Sequence, residues 1–274
     1  MKFIKLSFSY LKKNFLYMAL FAIVPTVFVG CLLRPFALFE FLNMYPSMRV
    51  ENFGTIFNSI FKFSFLNIFL TLLGLIVISI FVSVAFGQLE NHMRSGKINI
   101  KNSLKMVNNN FLVVFANILA LFLIWFLLKF IFSGLMILIH LIFCGLNTTP
   151  YAICEIFAIF FSALAFVVFV QISAIFLLNI PNMLLNGYPA KQAFSSSIKL
   201  LNFNNFQFLL AMVLPFVVII PLSSVLANNI SILASIIGTF ILSVYIPALV
   251  MTAYFELSNT SRYDNRKYYN YNGN

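Results

Sequence analysis

Long apolar segments recur along the whole chain and limit what it can fold into. The first, residues 15–33, is a run of 19 residues without a charged side chain, and the last ends only at residue 255. About 20 apolar residues span the roughly 30 Å hydrocarbon core of a bilayer. Only 8% of the residues are charged, whereas a typical soluble domain has about 25%. The sequence therefore predicts an all-α, polytopic transmembrane helical bundle.

The apolar runs divide into six predicted spans, with approximate limits at 15–33, 65–89, 111–133, 151–180, 206–226 and 230–255. We place them in one membrane domain, 1–257, followed by a Tyr- and Asn-rich tail, 258–274, whose polar composition predicts disorder in the cytoplasm. The run 111–146 is long for one helix and short for two. If 111–133 is the span, Gly134 begins a second element and 134–146 is re-entrant or interfacial. The alternative is that 134–146 is part of a long third span.

The distribution of Lys and Arg predicts the orientation of the chain. The segments on one side of a six-span chain hold 13 of these residues, and the other side holds 3, namely Arg34, Arg49 and Lys62. Cytoplasmic loops of membrane proteins are enriched in Lys and Arg. A seven-span chain would reduce the ratio to 8 against 8. We therefore expect a multi-pass protein of the cell membrane with both termini in the cytoplasm, and we interpret the net charge of +11 as topology rather than nucleic-acid binding.

Three segments with a similar pattern indicate an internal repeat. Residues 4–11, 100–107 and 194–201 each place apolar side chains at positions i, i+4 and i+7, which lie on one face of a helix. Serine recurs at the matching position of each segment, as Ser7, Ser103 and Ser197. The pattern predicts three parallel two-helix repeats, each preceded by a cytoplasmic amphipathic helix that rests on the inner leaflet.

Short motifs that follow the spans resemble those of a bacterial superfamily of six-span integral membrane proteins. This superfamily includes the membrane domain of glycerophosphodiester phosphodiesterases and related uncharacterised families. The motifs are residues 94–97 leading to 103–105, 186–189 leading to 197–199, and 253–257. The resemblance implies the six-span fold and little about activity. The hydrolytic domain of those enzymes is not expected here, because the sequence has only 6 acidic residues to hold its metal.

Two charged residues, Lys129 and Glu155, fall inside predicted spans and form the candidate site. Charged side chains within a membrane are costly and often functional. Both are predicted to lie near the outer interface, which makes an intramembrane Lys129–Glu155 pair possible. The alternatives are a structural pair, a lysine that extends to the interface, or a site for an ion, a proton or a lipid headgroup.

The rest of the sequence provides little for catalysis, and no cofactor or metal site is predicted. His140 and Cys144 supply two metal ligands where zinc needs three or four. Cys144 and Cys154 flank one predicted loop, so they form either a disulfide or two apolar core positions. The serine run 195–197 has no nearby His or acid to activate it. There is also no phosphate-binding glycine motif for ATP.

We therefore expect a non-enzymatic integral membrane protein, either a permease-like subunit or a partner of membrane proteins and lipids. Its expected partners are the lipid bilayer, other membrane proteins or a separate ATPase, and not nucleic acid. Two alternatives stay open from the sequence. One is a membrane-embedded enzyme that acts on lipid, and the other is a membrane protein of a stress or toxin response.

Overall fold

The computed structural model describes residues 2–30, 65–96, 100–139, 142, 151–202, 205–226 and 231–264. The regular elements in these ranges are helices: α1 (Lys2–Phe28), α2 (Phe65–Ser95), α3 (Ser103–Ile139), α4 (Tyr151–Asn186), α5 (Ala190–Asn202), α6 (Asn205–Leu226) and α7 (Ser231–Leu257), with one 3-10 turn before α3 (Ile100–Asn102). Five helices are long and apolar enough to cross a membrane, and α5 with α6 is a sixth candidate if this bent pair forms one span. The predicted all-α fold is confirmed, and five to six candidate spans suggest a multi-pass membrane protein.

Helix α7 lies at the centre of the bundle. It contacts α1, α2, α4 and α6, while α2 also packs on α3 and α3 on α4. Residues 248–255 are buried on every side of α7, as expected for a helix that is apolar all round. Ala248, Thr252 and Ala253 are small residues in this stretch, and small side chains let helix backbones approach closely. The sequence does not distinguish α7 from the other apolar runs.

The two described ends of the chain lie at the same end of the bundle. The Lys2 ammonium and the Glu256 carboxylate form an ion pair of 2.5 Å between the start of α1 and the end of α7. Farther along the same helices, the ring of Phe15 packs against the ring of Phe240. The two helices are therefore antiparallel, and their N- and C-terminal ends meet.

The start of the predicted disordered tail is folded against the bundle. The backbone N–H of Tyr263 donates to the carbonyl of Met93 in α2 at 2.8 Å. Residues 258–264 thus continue past α7 and reach the end of α2. The remaining part of the tail, 265–274, lies outside the described residues.

The three segments that precede predicted spans have different shapes. Helix α1 has a kink at Asn14 (φ −124°, ψ 19°), whose side-chain amide donates to the carbonyl of Tyr10 at 3.0 Å. Helix α3 runs without interruption from Ser103, because no proline stands between this residue and Ile139. Helix α5 is a separate element, bent by 93° from α6. The predicted separate helix at 100–107 is therefore replaced by a 3-10 turn and the first turns of α3.

Of the two alternatives for this segment, a second element that begins at Gly134 is wrong, because α3 continues through this residue to Ile139 as one long helix. One glycine costs a helix only about 1 kcal/mol relative to alanine, and the apolar residues on both sides favour continuation. The rest of the segment up to residue 150, with His140, Cys144 and the predicted turn, lies outside the described residues apart from Ile142. The predicted loop 34–64 and the side chain of Cys154 also lie outside them.

Glycines end two of the long helices, α2 and α4. Gly96 follows α2 with φ +68°, and Gly187 follows α4 with φ +64°. The left-handed conformation is readily adopted only by glycine, and it ends a helix by turning the chain away from its axis. The turns lead into α3 and α5, so the ends of α2 and α4 are set beside the starts of the next helices.

Candidate functional site

The register of α3 and α4 separates the two residues of the predicted pair. The Asn179 side-chain amide of α4 donates to Asn117 Oδ1 of α3 at 2.8 Å. On antiparallel helices this contact places the backbone at Lys129 opposite residue 167. Glu155 lies 12 positions farther along α4, which is roughly 18 Å at 1.5 Å per residue. Extended Lys and Glu side chains do not bridge that distance, but both side chains lie outside the described residues, so the pair remains a prediction to be tested.

A network of neutral polar groups joins α4, α5 and α7 around Asn182, which is 1% exposed. Its amide nitrogen donates to Ser197 Oγ of α5 at 2.9 Å and to the carbonyl of Leu178 at 3.2 Å. Its amide oxygen accepts from Ser196 Oγ at 3.2 Å and from the Tyr254 hydroxyl of α7 at 3.3 Å. One side chain therefore bonds to two neighbouring helices as well as to its own.

Two further contacts extend the network along α4. The Asn186 amide donates to the Tyr254 hydroxyl at 2.8 Å, one helical turn beyond Asn182. In the other direction, one turn before Asn182, the Asn179 amide donates to Asn117 of α3, which in turn donates to the carbonyl of Val113 in its own helix at 2.8 Å. The amide oxygen of Asn179 is buried and has no hydrogen-bond partner among the described residues. Helix α4 thus presents asparagines toward α3, α5 and α7 over about two turns.

A related contact joins α2 to the start of α3. The Gln88 amide donates to Ser103 Oγ at 3.2 Å, just as the Asn182 amide donates to Ser197 Oγ. In both cases the serine follows the amide by 15 residues, and a glycine turn lies between them. The same kind of contact therefore joins α2 to α3 and α4 to α5 across the glycine turn that separates each pair.

A cleft of about 120 Å³ opens between α1, α2 and the segment 258–264, and its lining residues are Leu6, Ser9, Tyr10, Lys13, Asn14, His92, Arg262 and Asp264. The Tyr10 hydroxyl and His92 Nδ1 share a hydrogen bond of 2.8 Å across its floor. The Arg262 guanidinium lies 5.9 Å from the centre of the Tyr10 ring, within the distance at which a cation is attracted to an aromatic face.

Arg262 is fixed at the edge of this cleft by Asp264. Its Nε donates to Asp264 Oδ1 at 3.1 Å, and its Nη2 donates to Oδ2 at 2.7 Å. Both side chains are less than 10% exposed, at 9% and 7%. Two parallel bonds between a guanidinium and a carboxylate hold the arginine in one orientation. Lys13 lies on the same cleft, is exposed, and makes no ion pair among the described residues.

The two clusters differ in the chemistry that they permit. The Asn182 network consists of amides, hydroxyls and a phenol that bond mainly to one another, so it joins helices. The cleft instead carries cations of which one is unpaired within the described residues, so it has donors available for an anion. Neither cluster includes Lys129 or Glu155. Among the described residues, no group of three or more His, Cys, Asp or Glu side chains is placed to hold a metal ion.

Sequence reasoning missed both clusters. The predicted site contains only charged residues, although Asn117 and Asn179 also stand inside predicted spans and Asn182 lies two residues past the fourth span. Polar side chains at such positions face the bundle interior and bond to one another, and this signal was present in the sequence. The cleft could not be found in that way, because Tyr10 and Arg262 are brought together only by the fold.

Comparisons with known proteins give no relative for this chain. No protein-family model matches it, and no curated protein or solved structure is significantly similar to it. The resemblance to six-span bacterial membrane proteins therefore rests on the motifs near residues 94–105, 186–199 and 253–257 alone.

Proposed function

We propose that the chain is a six-span protein of the cell membrane with its basic end and both termini in the cytoplasm. In this proposal it is non-enzymatic and acts as a permease-like subunit or as a partner of membrane proteins and lipids. The bent pair of α5 and α6 supplies the span that brings the count from five to six. Helix α5 then lies along the inner leaflet, at a steep angle to α6.

The observation that carries the orientation is the gathering of cations at one end of an apolar bundle. The described cations other than Lys129 lie there, on the first half of α1 or near the turns between helices: Lys2, Lys5, Lys12, Lys13, Arg94, Lys101, Lys105, Lys191, Lys199 and Arg262. The acids at this end are Glu90, Glu256 and Asp264. Lys and Arg are retained on the cytoplasmic side of membrane proteins. The contacts between helix ends thus agree with the bias that the sequence predicts.

The shape of α5 supports a position on the membrane surface. Ala193, Ser197 and Leu201 are buried against the bundle, whereas Phe194 and Ile198 are about one third exposed, at 36% and 38%. Apolar side chains at the edge of an amphipathic helix insert into the headgroup boundary. The repeated amide–serine contact, Gln88–Ser103 and Asn182–Ser197, supports an internal repeat for the second and third units.

The non-enzymatic role is supported by the character of the buried polar groups. The Asn182 network places neutral amides and hydroxyls in helix–helix contacts. General acid–base catalysis needs a group whose pKa lies near the working pH. The network is thus better suited to holding α4, α5 and α7 together than to a chemical step.

Labelling of single cysteines tests the orientation. In a variant without the native cysteines, Lys191→Cys is expected to react with a membrane-impermeant maleimide in inverted vesicles and not in intact cells. Asn147→Cys, on the opposite side of the proposed topology, is the matched control and is expected to show the reverse pattern. Reaction of position 191 in intact cells would overturn the orientation.

A separate measurement tests the non-enzymatic role. The purified chain is incubated with a total lipid extract from its host, and the lipids are followed by mass spectrometry. No lipid is expected to change in amount relative to a sample that contains heat-denatured protein. Conversion of a lipid that depends on the folded chain would contradict this role and favour the membrane-embedded enzyme.

A further inference from the structure

We infer that the cleft between α1, α2 and the segment 258–264 binds an anionic phosphate group, with Lys13 and Arg262 as the two cations that recognise it. This inference rests on the proposed role as a lipid partner and adds a binding site to it, in the same membrane topology. The shared chemistry is that of a phosphate, which either an anionic lipid headgroup or a soluble phosphate compound supplies. The two sources are separated by the experiment below.

The first argument is the state of the arginine. Asp264 bonds Nε and Nη2 of Arg262 on one edge of the guanidinium. Within the described residues, Nη1 makes no hydrogen bond, so its two N–H groups are available. An arginine that is already fixed by a carboxylate loses little side-chain freedom when it binds a ligand. Asp264 thus acts as a positioning residue for Arg262, and the planar fork suits phosphate oxygens.

The second argument is the charge that remains in the cleft. Asp264 offsets the charge of Arg262, while Lys13 has no acidic partner among the described residues. The lining therefore keeps a net charge of about +1 with His92 neutral, and Ser9 adds a hydroxyl. A lysine ammonium and an arginine edge are the donors that proteins use for phosphate.

The third argument is space and position. The cleft of about 120 Å³ has room for a phosphate group, because a volume of about 10–15 Å³ already holds one water molecule. Lys13 stands directly before the kink at Asn14, where the apolar part of α1 begins. In the proposed topology this is the depth of the lipid phosphates of the inner leaflet. A headgroup thus reaches the cleft while its acyl chains lie along the exposed apolar side chains of Leu16 and Leu20.

Binding is measured on the full chain in a non-ionic detergent, by native mass spectrometry with phosphatidylglycerol as the probe. Lys13→Gln and Arg262→Gln are each expected to weaken binding of the first lipid about tenfold, because each removes a charge-assisted contact. Lys105→Gln and Lys191→Gln remove exposed lysines from the same end of the bundle and serve as matched controls. They are expected to change binding less than about twofold.

Inorganic phosphate added to the wild-type sample separates the two sources. Displacement of the lipid by phosphate indicates a site for soluble phosphate compounds, and retention of the lipid indicates a headgroup site that also uses the acyl chains. Both results support the phosphate site. Equal losses in the Lys13 and control variants, or wild-type binding by both cleft variants, would overturn it.

Two features keep this experiment independent of the other proposals. Lys13 is exposed, so Lys13→Gln is expected to fold even if Arg262→Gln does not, and a thermal unfolding curve of each variant checks this. Binding in detergent also does not depend on which side of the membrane the cleft faces. Failure of the labelling experiment therefore leaves the phosphate site standing, and failure of this one leaves the topology standing.

Discussion

Replacement of Asn182 by leucine is expected to destabilise the bundle by about 2 kcal/mol. Leucine has nearly the shape of asparagine but forms no hydrogen bonds, so packing at this buried position is largely kept. The change removes three bonds to other helices, those with Ser196, Ser197 and Tyr254. Interhelical hydrogen bonds in membranes average about 0.6 kcal/mol each, with a maximum near 1.7 kcal/mol. Three average bonds thus give about 2 kcal/mol, roughly a 30-fold change in the unfolding equilibrium.

The measurement is reversible unfolding by sodium dodecyl sulfate in mixed micelles, followed by far-ultraviolet circular dichroism. Asn109→Leu, at an exposed position of α3, is the matched control and is expected to change the free energy of unfolding by less than about 0.5 kcal/mol. A double-mutant cycle that combines Asn182→Ala with Ser197→Ala is expected to give a coupling of about 0.6 kcal/mol.

Two results would refute the reasoning. One is an Asn182→Leu variant whose free energy of unfolding lies within about 0.5 kcal/mol of the wild type. It would mean that the amide gains as much from other partners in the unfolded, membrane-bound chain as in the bundle. The other is a zero coupling between Asn182 and Ser197, which would mean that their bond does not hold α5 against α4.

The remaining predictions concern glycines and the charged residues of the spans. Gly30→Ala is expected to lower stability by at least about 1–3 kcal/mol, because the added Cβ would stand 2.8 Å from the Cα of Ile236. Gly134→Ala is expected to be neutral or to stabilise by up to about 1 kcal/mol, since no atom of the described residues lies within 4 Å of its Cβ position. The same unfolding assay checks both, and equal losses would contradict the close approach of Gly30 to Ile236 of α7. Lys129→Gln and Glu155→Gln are expected to be additive within about 0.5 kcal/mol, whereas a larger coupling would support the predicted pair.

The helical, multi-pass fold was predictable because it depends on properties that the sequence displays directly. Apolar length determines which segments suit a bilayer, and the low fraction of charged residues excludes a soluble domain of ordinary composition. The limits of the helices were less accurate, since α3 and α4 are 37 and 36 residues long. At 1.5 Å per residue each extends over roughly 55 Å, well beyond the hydrocarbon core.

The extra length of α3 and α4 changes the depths expected for Lys129 and Glu155. The predicted depths rest on span limits at 111–133 and 151–180, with each span beginning and ending at the membrane surface. Helix α4 continues six residues past 180, and the Asn117–Asn179 contact sets its register against α3. Depth within a bundle depends on which residues of neighbouring helices touch, and hydropathy contains no such information.

The polar clusters were predictable only in part. The asparagines of α4 could be recognised as polar residues in apolar runs, but Asn182 bonds to Tyr254, which is 72 residues away. Similarly, the cleft joins Tyr10 to His92 over 82 residues. Contacts between residues so far apart in the sequence depend on which helices pack against each other. The pattern of each helix alone allows several arrangements, since all of them are apolar on most sides.

The central position of α7 has a consequence for how the chain is made. The first and last helices share the most extensive interface among the described elements, so α1 enters the membrane long before its main partner is synthesised. Until α7 arrives, Asn186 lacks the Tyr254 hydroxyl to which its amide donates, and Asn182 lacks one of the two donors to its amide oxygen. The nascent protein is therefore an incomplete bundle until α7 has been made. A chain that stops short of α7 carries the features that membrane quality control removes: unpaired polar groups and an unfilled core.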